Sequence, residues 1–106
     1  MASMAKLFEE MPNVFDADKA GDFDATVQFM LTGEDGGEWY VVIAGGEIDV
    51  EQGTAESPTS TIHMEASDYA DMVSGELNPM TAFMQQKVRI EGDLNTVMKF
   101  QTLFDQ

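Results

Sequence analysis

Side chains that could carry acid–base chemistry are abundant in this sequence but are not arranged as a catalytic site. Its 106 residues include 20 aspartates and glutamates, five lysines and arginines, one histidine and no cysteine. Because carboxylates are so common, no chosen pair of them stands out, and no histidine, lysine or arginine is spaced to act as their partner. The sequence therefore predicts a solvated acidic face, no catalytic residues and no enzyme.

The candidate metal-ligating and nucleophilic groups are equally weak. His63 lies on the polar face of a predicted strand, and one exposed histidine can neither form a zinc site nor, without supporting spacing, a Ser-His-Asp arrangement. The run from Asp16 to Gly21 has the form of an opening calcium loop, but Ala20 takes the third ligand position and Val27 stands where a bidentate glutamate is required. The sequence predicts no metal and no cofactor.

Lys87 and Arg89 are the candidate anion-binding residues. They share one face of a predicted strand and could together hold one anionic group. Four lysines and one arginine in the whole chain offer little to hold the phosphates of coenzyme A. The glycine pairs at 36–37 and 45–46 lack the length and the lysine of a phosphate-binding loop and are interpreted as hairpin turns.

Length and hydropathy indicate one globular domain covering residues 1–106, with 43% hydrophobic residues. No apolar run approaches the roughly 20 residues that cross a bilayer, and the N-terminus lacks a basic region followed by an apolar stretch. The expectation is a soluble cytoplasmic protein without an integral membrane segment.

The net charge of −15 disfavours binding to nucleic acid and to anionic membrane surfaces, because phosphate recognition depends on lysine and arginine. The acidic excess has two open interpretations: solubility through self-repulsion, or adaptation to a salty cytoplasm. The second predicts loss of structure at low ionic strength.

Hydrophobic periodicity predicts the order of the elements. An N-terminal helix carries an apolar stripe of Met4, Leu7, Phe8 and Met11. Alternating apolar and polar residues then predict five strands near residues 26–31, 39–44, 47–52, 61–65 and 87–91.

Three more helices are predicted around the last two strands. Ser67 or Asp68 is expected to cap the first, whose apolar set is Tyr69, Met72 and Val73, and Gly75 to end it. Asn78-Pro79 starts the second, with Met80, Phe83 and Met84 on one face. Asp93 caps the third, for which the predicted apolar stripe is Leu94, Val97, Met98 and Phe104, widened by Phe100, with Leu103 nearly opposite.

These elements predict an α+β fold: a five-stranded, mainly antiparallel sheet with helices packed on one face. The motifs from about Phe15 to Phe104, in their order and spacing, resemble those of the sterol carrier protein type 2 domain. They are Ala25-Thr26-Val27-Gln28-Phe29, Leu31-Thr32-Gly33, Gly37-x-Trp39, Thr61-Ile62-x-Met64, Ser67-Asp68-Tyr69, Gly75, Asn78-Pro79, Ala82-Phe83, Lys87 and Ile90-x-Gly92.

The resemblance implies a non-enzymatic intracellular lipid carrier, in which helices and sheet enclose an apolar tunnel for a sterol, fatty acid or fatty acyl group. It also favours Trp39, Val41 and Ile43 as the inward face of their strand. Facing and resemblance together give the candidate ligand-binding residues, several of them adaptable methionines: Phe29, Trp39, Met64, Met72, Phe83, Met84, Met98 and Phe104.

Three departures from the family pattern modify these expectations: Gln86, the end of the sequence and the scarcity of basic residues. Gln86 stands where the family usually has glycine, which alters the turn into the last strand. The sequence ends at Gln106, which predicts a more open cavity and no Ser-Lys-Leu peroxisomal address. With few basic residues as well, fatty acids or neutral lipids rank above acyl-CoA. The alternative function is an interaction module with a filled core that partners a lipid-metabolism enzyme.

Overall fold

The computed structural model describes residues 4–34 and 36–103. The helices are α1 (Met4–Glu10), α2 (Ala17–Ala20), α3 (Ala66–Ser74), α4 (Pro79–Met84) and α5 (Leu94–Gln101), with a 3-10 helix at Met11–Val14. The strands are β1 (Ala25–Thr32), β2 (Gly37–Ala44), β3 (Glu47–Gln52), β4 (Ser60–Glu65) and β5 (Val88–Gly92).

The strands form one sheet in the order β3-β2-β1-β4-β5. Strands β1 and β4 are parallel, and the three other pairs are antiparallel. Phe29 pairs with Trp39 on β2 and with Ile62 on β4, so the centre of the inward face is apolar. This arrangement confirms the predicted α+β fold with a mainly antiparallel five-stranded sheet.

Helices α1, α3 and α5 cover the inward face of the sheet. Phe8 of α1 is completely buried, as the apolar stripe predicts, and Met11 is nearly so. Helix α3 packs against β1 and β4, while α5 packs against β4. Trp39, Val41 and Ile43 are buried on β2, which confirms the predicted facing.

The opposite face of the sheet is crossed by residues 53–59, which connect β3 at one edge to β4 beyond β1. Gln28 is 4% exposed and holds this crossover in place. Its amide nitrogen donates to the carbonyls of Trp39 and Gly53, each at 3.0 Å, and its amide oxygen accepts from Ala55 N–H at 2.7 Å. Alternation placed Gln28 on the outer face, but it gave no indication that the residue would be buried there.

Two predicted helix features are wrong. Neither Ser67 nor Asp68 is the cap of α3, because β4 runs directly into the helix: Glu65 is the cap residue, without a side-chain cap hydrogen bond, and Ala66 is already helical and buried. In contrast, the cap at Asn78 and the left-handed end at Gly75 are confirmed.

The predicted stripe of α5 is also rotated from the observed one. The buried residues are Thr96, Val97, Phe100 and Leu103, whereas Leu94 and Met98 are exposed. The start of the helix fixes this rotation: the Asp93 carboxylate accepts from Thr96 Oγ1 at 2.9 Å, and the Asp93 carbonyl accepts from Ser60 Oγ at 2.6 Å. Thr96 is thereby turned toward the sheet, and Phe100, four residues later, is buried on the same face of the helix.

Candidate functional site

The three sheet residues predicted to contact a ligand lie in the hydrophobic core. Phe29, Trp39 and Met64 are 2%, 9% and 5% exposed. Met72 of α3 is partly buried and packs against the same core. Phe104 lies outside the described residues.

An aromatic cluster fills the space between the sheet and helices α1 and α3. The Phe8 ring is nearly parallel to the Trp39 and Tyr69 rings, with centroids 4.9 Å and 5.3 Å away. Phe29 packs edge-on against Phe8 at 5.2 Å and Tyr69 at 5.4 Å. Phe100 lies 5.8 Å from Phe29. Such geometries stabilise aromatic clusters beyond simple burial.

Tyr69 brings a phenol group into this cluster. Burial raises the pKa of the Tyr69 phenol far above its usual value, because the phenolate would lose its hydration. The residue therefore stays neutral and acts as a packing group in the described core.

The three remaining helical candidates are on the surface. Phe83 and Met84 of α4 are 45% and 76% exposed, and Met98 of α5 is 51% exposed. Phe83 and Met84 share one face of α4 with Met80, as predicted. This face points outward, whereas Ala82 on the opposite side of the helix is fully buried. Seven of the eight predicted residues are described: three form a buried sheet set, Met72 is partly buried, and Phe83, Met84 and Met98 form an exposed helical set.

Strand β5 lies between these two sets. Val88 and Ile90 pair with Met64 and Ile62 of β4 and pack, only partly buried, against the edge of the core. Helix α4 packs against β5, and α5 packs against β4. The β5 edge of the core is consequently covered less completely than the centre of the sheet around Phe29 and Trp39.

Helix α4 is short and held mainly through its ends. The Asn78 side chain accepts from Met80 N–H at 2.8 Å and from Thr81 N–H at 3.4 Å. At the other end, Lys87 N–H donates to the Ala82 carbonyl at 2.9 Å. Between them Gln86 has φ of +62°, and among the described residues it alone has a positive φ without being glycine. Gln86 thus adopts the left-handed conformation that glycine would favour at this turn.

Lys87 and Arg89 do share one site, as their spacing predicts. They line a shallow surface depression of about 610 Å³ at the end of the sheet where β4 finishes and β5 begins, together with His63, Met64, Glu65 and Asp68. A second depression of about 370 Å³ involves residues 13–18.

Glu91 organises the charges beside the larger depression. His63 Nε2 and Arg89 Nη2 each lie 3.1 Å from a different carboxylate oxygen of Glu91. The hydrogen bond and charge of His63, followed by the charge of Arg89, hold the pKa of the exposed Glu91 carboxyl below its usual value. This is a surface ion-pair group.

Within residues 4–34 and 36–103, no group of three or more acidic or histidine side chains is placed to hold a metal ion. In the same ranges, no helix is both long enough and apolar enough to cross a bilayer.

Sequence reasoning missed the part played by Phe8 and Phe100 in the candidate site. Both occur in apolar stripes, but the contact of Phe8 with both Trp39 and Tyr69 could not be predicted from its stripe. The usable signal was the spacing of Phe8 from Met4 and Met11, which marks it as the centre of a buried face.

A mixed five-stranded sheet with helices over one face defines an α+β domain of the sterol-carrier type. A family model described as "SCP-2 sterol transfer family" matches residues 6–105. The chain belongs to the SCP-2 sterol transfer family.

Similar proteins include small carriers and much longer chains. The chain is 34% identical over 84 residues to hydroxysteroid dehydrogenase-like protein 2 of Bos taurus, covering 77% of this chain and 20% of that protein. It thus spans about a fifth of the length of the curated relatives it matches.

Two solved structures share the fold. The solution structure of palmitated sterol carrier protein 2 like 2 from Aedes aegypti has a TM-score of 0.80 at 19% identity, covering 99% of this chain and 96% of that one. The sec-alkylsulfatase Pisa1 from a Pseudomonas species has a TM-score of 0.85 at 20% identity, covering 99% of this chain and 17% of that one.

Proposed function

We propose that this chain is a non-enzymatic lipid carrier domain that binds one fatty acid, fatty acyl group or similarly apolar lipid. Family membership supports the class of function. The observation that carries the site is the contrast between the centre of the core and its β5 edge: tightly packed aromatic rings around Trp39, and partly buried Val88 and Ile90 beneath exposed residues of α4 and α5.

The ligand chain enters at the β5 edge. There it lies on Val88 and Ile90 between α4 and α5, with Phe83, Met84 and Met98 closing over it and Met64 and Met72 lining the inner end. Movement of α4 makes room, since this six-residue helix packs mainly against β5. Methionine side chains adjust to ligands of different shape at little conformational cost.

Phe29 and Trp39 lie deeper, in the aromatic cluster. A longer ligand reaches them only if Phe8 moves aside. We therefore place Phe29 and Trp39 at the far end of the binding site and the helical residues at its entrance. We also propose that the carrier is a soluble protein of the cytoplasm.

Affinity comes mainly from removing the ligand chain from water, at about 0.8 kcal/mol per methylene. Two further methylenes should therefore tighten binding by about tenfold, until the chain reaches the aromatic cluster. Saturated fatty acids of increasing length, with palmitate as the first probe, test this by native mass spectrometry and calorimetry.

Charged substitutions locate the site. Phe83→Asp and Met84→Asp should each abolish palmitate binding, because a carboxylate would have to be buried against the acyl chain. Thr81→Asp is the matched control, since Thr81 is exposed on α4 away from the apolar face. Unchanged affinity in folded Phe83→Asp and Met84→Asp proteins would reject this site.

The second candidate function is an interaction module with a filled core. The packed aromatic cluster favours it, as does the fact that relatives such as hydroxysteroid dehydrogenase-like protein 2 are much longer than this chain. The module would then serve an enzyme of lipid metabolism. A purified protein that carries no lipid and takes up no fatty acid, acyl-CoA or sterol would favour this function over the carrier.

A further inference from the structure

Exposed apolar side chains are concentrated at one end of the sheet. Six large hydrophobic residues are exposed among the described residues, and Val14 alone lies outside α4 and α5. The other five are Met80, Phe83, Met84, Leu94 and Met98. We call residues 79–103, which contain α4, β5 and α5, the β5 end.

The charge of the β5 end differs from that of the preceding chain. Residues 1–78 contain 17 acidic and two basic residues, a net charge of −15. Residues 79–103 contain three basic and two acidic residues, a net charge of +1. The exposed apolar side chains and most of the basic residues therefore occur in the same segment.

The fold places these groups around an edge strand. Strand β5 ends the sheet, with α4 against it and α5 against its neighbour β4. Val88 and Ile90 face the core, so the alternate residues Lys87 and Arg89 project from the other side of the strand. Lys99 is exposed on α5. The apolar helices, with Lys99, thus lie on one side of the strand, and Lys87 and Arg89 lie on the other.

We propose that the β5 end is a docking surface for a phospholipid bilayer. With the β5 edge toward the membrane, methionine, phenylalanine and leucine side chains enter the interfacial region, and the cations approach lipid phosphates. Glu65 and Asp68 share the depression with Lys87 and Arg89, so the local attraction is moderate. The strongly acidic remainder keeps the other faces away from an anionic surface and thereby orients the molecule.

Charge complementarity selects a bilayer over a second copy of the chain. A second copy would add the 17 acidic residues of its own residues 1–78 to the complex and double its net negative charge. Lipid phosphates instead meet this protein where its own charge is least negative. The net charge of the whole chain disfavours anionic membranes, but the β5 end has a small positive charge and is a local exception.

Flotation with vesicles tests the proposal. The probes are phosphatidylcholine vesicles with and without about one-fifth phosphatidylglycerol, whose surface attracts nearby basic residues. Met80→Glu and Leu94→Glu should each lower the bound fraction about fivefold or more, because each removes an inserting side chain and adds a negative charge. Both positions lie in the first turn of a helix, where glutamate is favourable, so folding should be retained.

Val14→Glu is the matched control, since Val14 is exposed but lies outside the β5 end. It should bind vesicles like the unmodified protein. Equal losses in all three variants would overturn the proposal, as would failure of the unmodified protein to float with either vesicle. A dimer that Met80→Glu and Leu94→Glu dissociate would also overturn it, because the surface would then be filled by a second copy.

The outcome is separable from that of the carrier function. Neither Met80 nor Leu94 is assigned to the ligand site, so both variants should keep palmitate binding in solution while losing vesicle binding. Loss of vesicle binding with palmitate binding retained supports a distinct docking surface. Loss of both would overturn the separate docking role.

Discussion

The Phe8 ring lies almost parallel to the Trp39 indole, with an interplanar angle of 6° and centroids 4.9 Å apart. Phe8 is also nearly parallel to Tyr69, at an angle of 5°. One side chain of α1 therefore joins a central strand to α3. This contact decides how tightly the core is packed around Trp39.

Replacing Phe8 with alanine should lower the free energy of unfolding by about 3–5 kcal/mol, because it removes a fully buried ring and leaves a cavity. Denaturant unfolding followed by the fluorescence of Trp39, the single tryptophan, measures the change. Phe83→Ala is the control: its side chain is 45% exposed, so its loss should be much smaller. Similar losses in the two variants would contradict the proposed packing role.

Element order, facing and most caps could be predicted because they depend on local chemistry. Asn78 has a side chain that accepts from the first N–H groups of α4, and alternation on β2 follows from strand geometry. The rotation of α5 could not be predicted in this way. It depends on the bond from Ser60 to the Asp93 carbonyl, between residues far apart in sequence.

The candidate site was predictable only in part for the same reason. Burial of Phe29 and Met64 follows from the period of their strands. Exposure of Phe83 and Met84 instead depends on which face of α4 meets β5, where the small Ala82 fits and the larger residues do not. A stripe of apolar residues on so short a helix does not tell whether it faces the core, a ligand or a membrane.

Gln86 should be a site of stored backbone strain. Its φ of +62° favours glycine, so Gln86→Gly should raise the free energy of unfolding by about 1 kcal/mol after allowing for the greater flexibility of the unfolded chain. Gln86→Val should lower the free energy of unfolding, and by a larger amount than Gln86→Gly raises it, because a β-branched residue is least tolerant of this conformation. Thermal and denaturant unfolding measure both changes.

Gln85→Gly serves as the control for Gln86, because Gln85 has an ordinary φ of −86°. This variant should be destabilised rather than stabilised. If both glycine variants changed stability in the same direction, the conformation of Gln86 would not be the cause.

The pKa of Glu91 should report its two partners unequally. His63 lowers this pKa more than Arg89 does, so His63→Gln should raise it further toward the ordinary value of 4.5 than Arg89→Gln. Carbon-detected NMR titration of the glutamate carboxyls gives both values. A larger rise in Arg89→Gln would contradict the assignment of His63 as the main partner.

The lowered pKa of Glu91 determines the direction in which folding stability changes with pH. Because folding lowers the pKa of Glu91, its ion pairs contribute stability above the unfolded value of about 4.5, and this contribution is lost as pH falls through the folded pKa. Glu91→Gln should therefore flatten the stability profile in the acidic range, which denaturant unfolding at a series of pH values measures.

Crowded carboxylates on the edge strand β3 give the last prediction. Glu47, Asp49 and Glu51 alternate along one exposed face of the strand, so each carboxylate repels the next. Asp49→Lys should raise the melting temperature at low ionic strength by several degrees, since about 1 kcal/mol shifts a domain of this size by roughly 4–8 °C. Molar KCl should raise the melting temperature of the unmodified protein and reduce the advantage of the variant, because the screening length falls to about 3 Å.

Two controls isolate the cause. Asp49→Asn separates loss of repulsion from gain of attraction, and sucrose at matched osmolality separates screening from exclusion of the solute. Complete folding by circular dichroism without added salt would reject an obligate dependence on a salty cytoplasm. A melting temperature that does not change with KCl would contradict the repulsion itself.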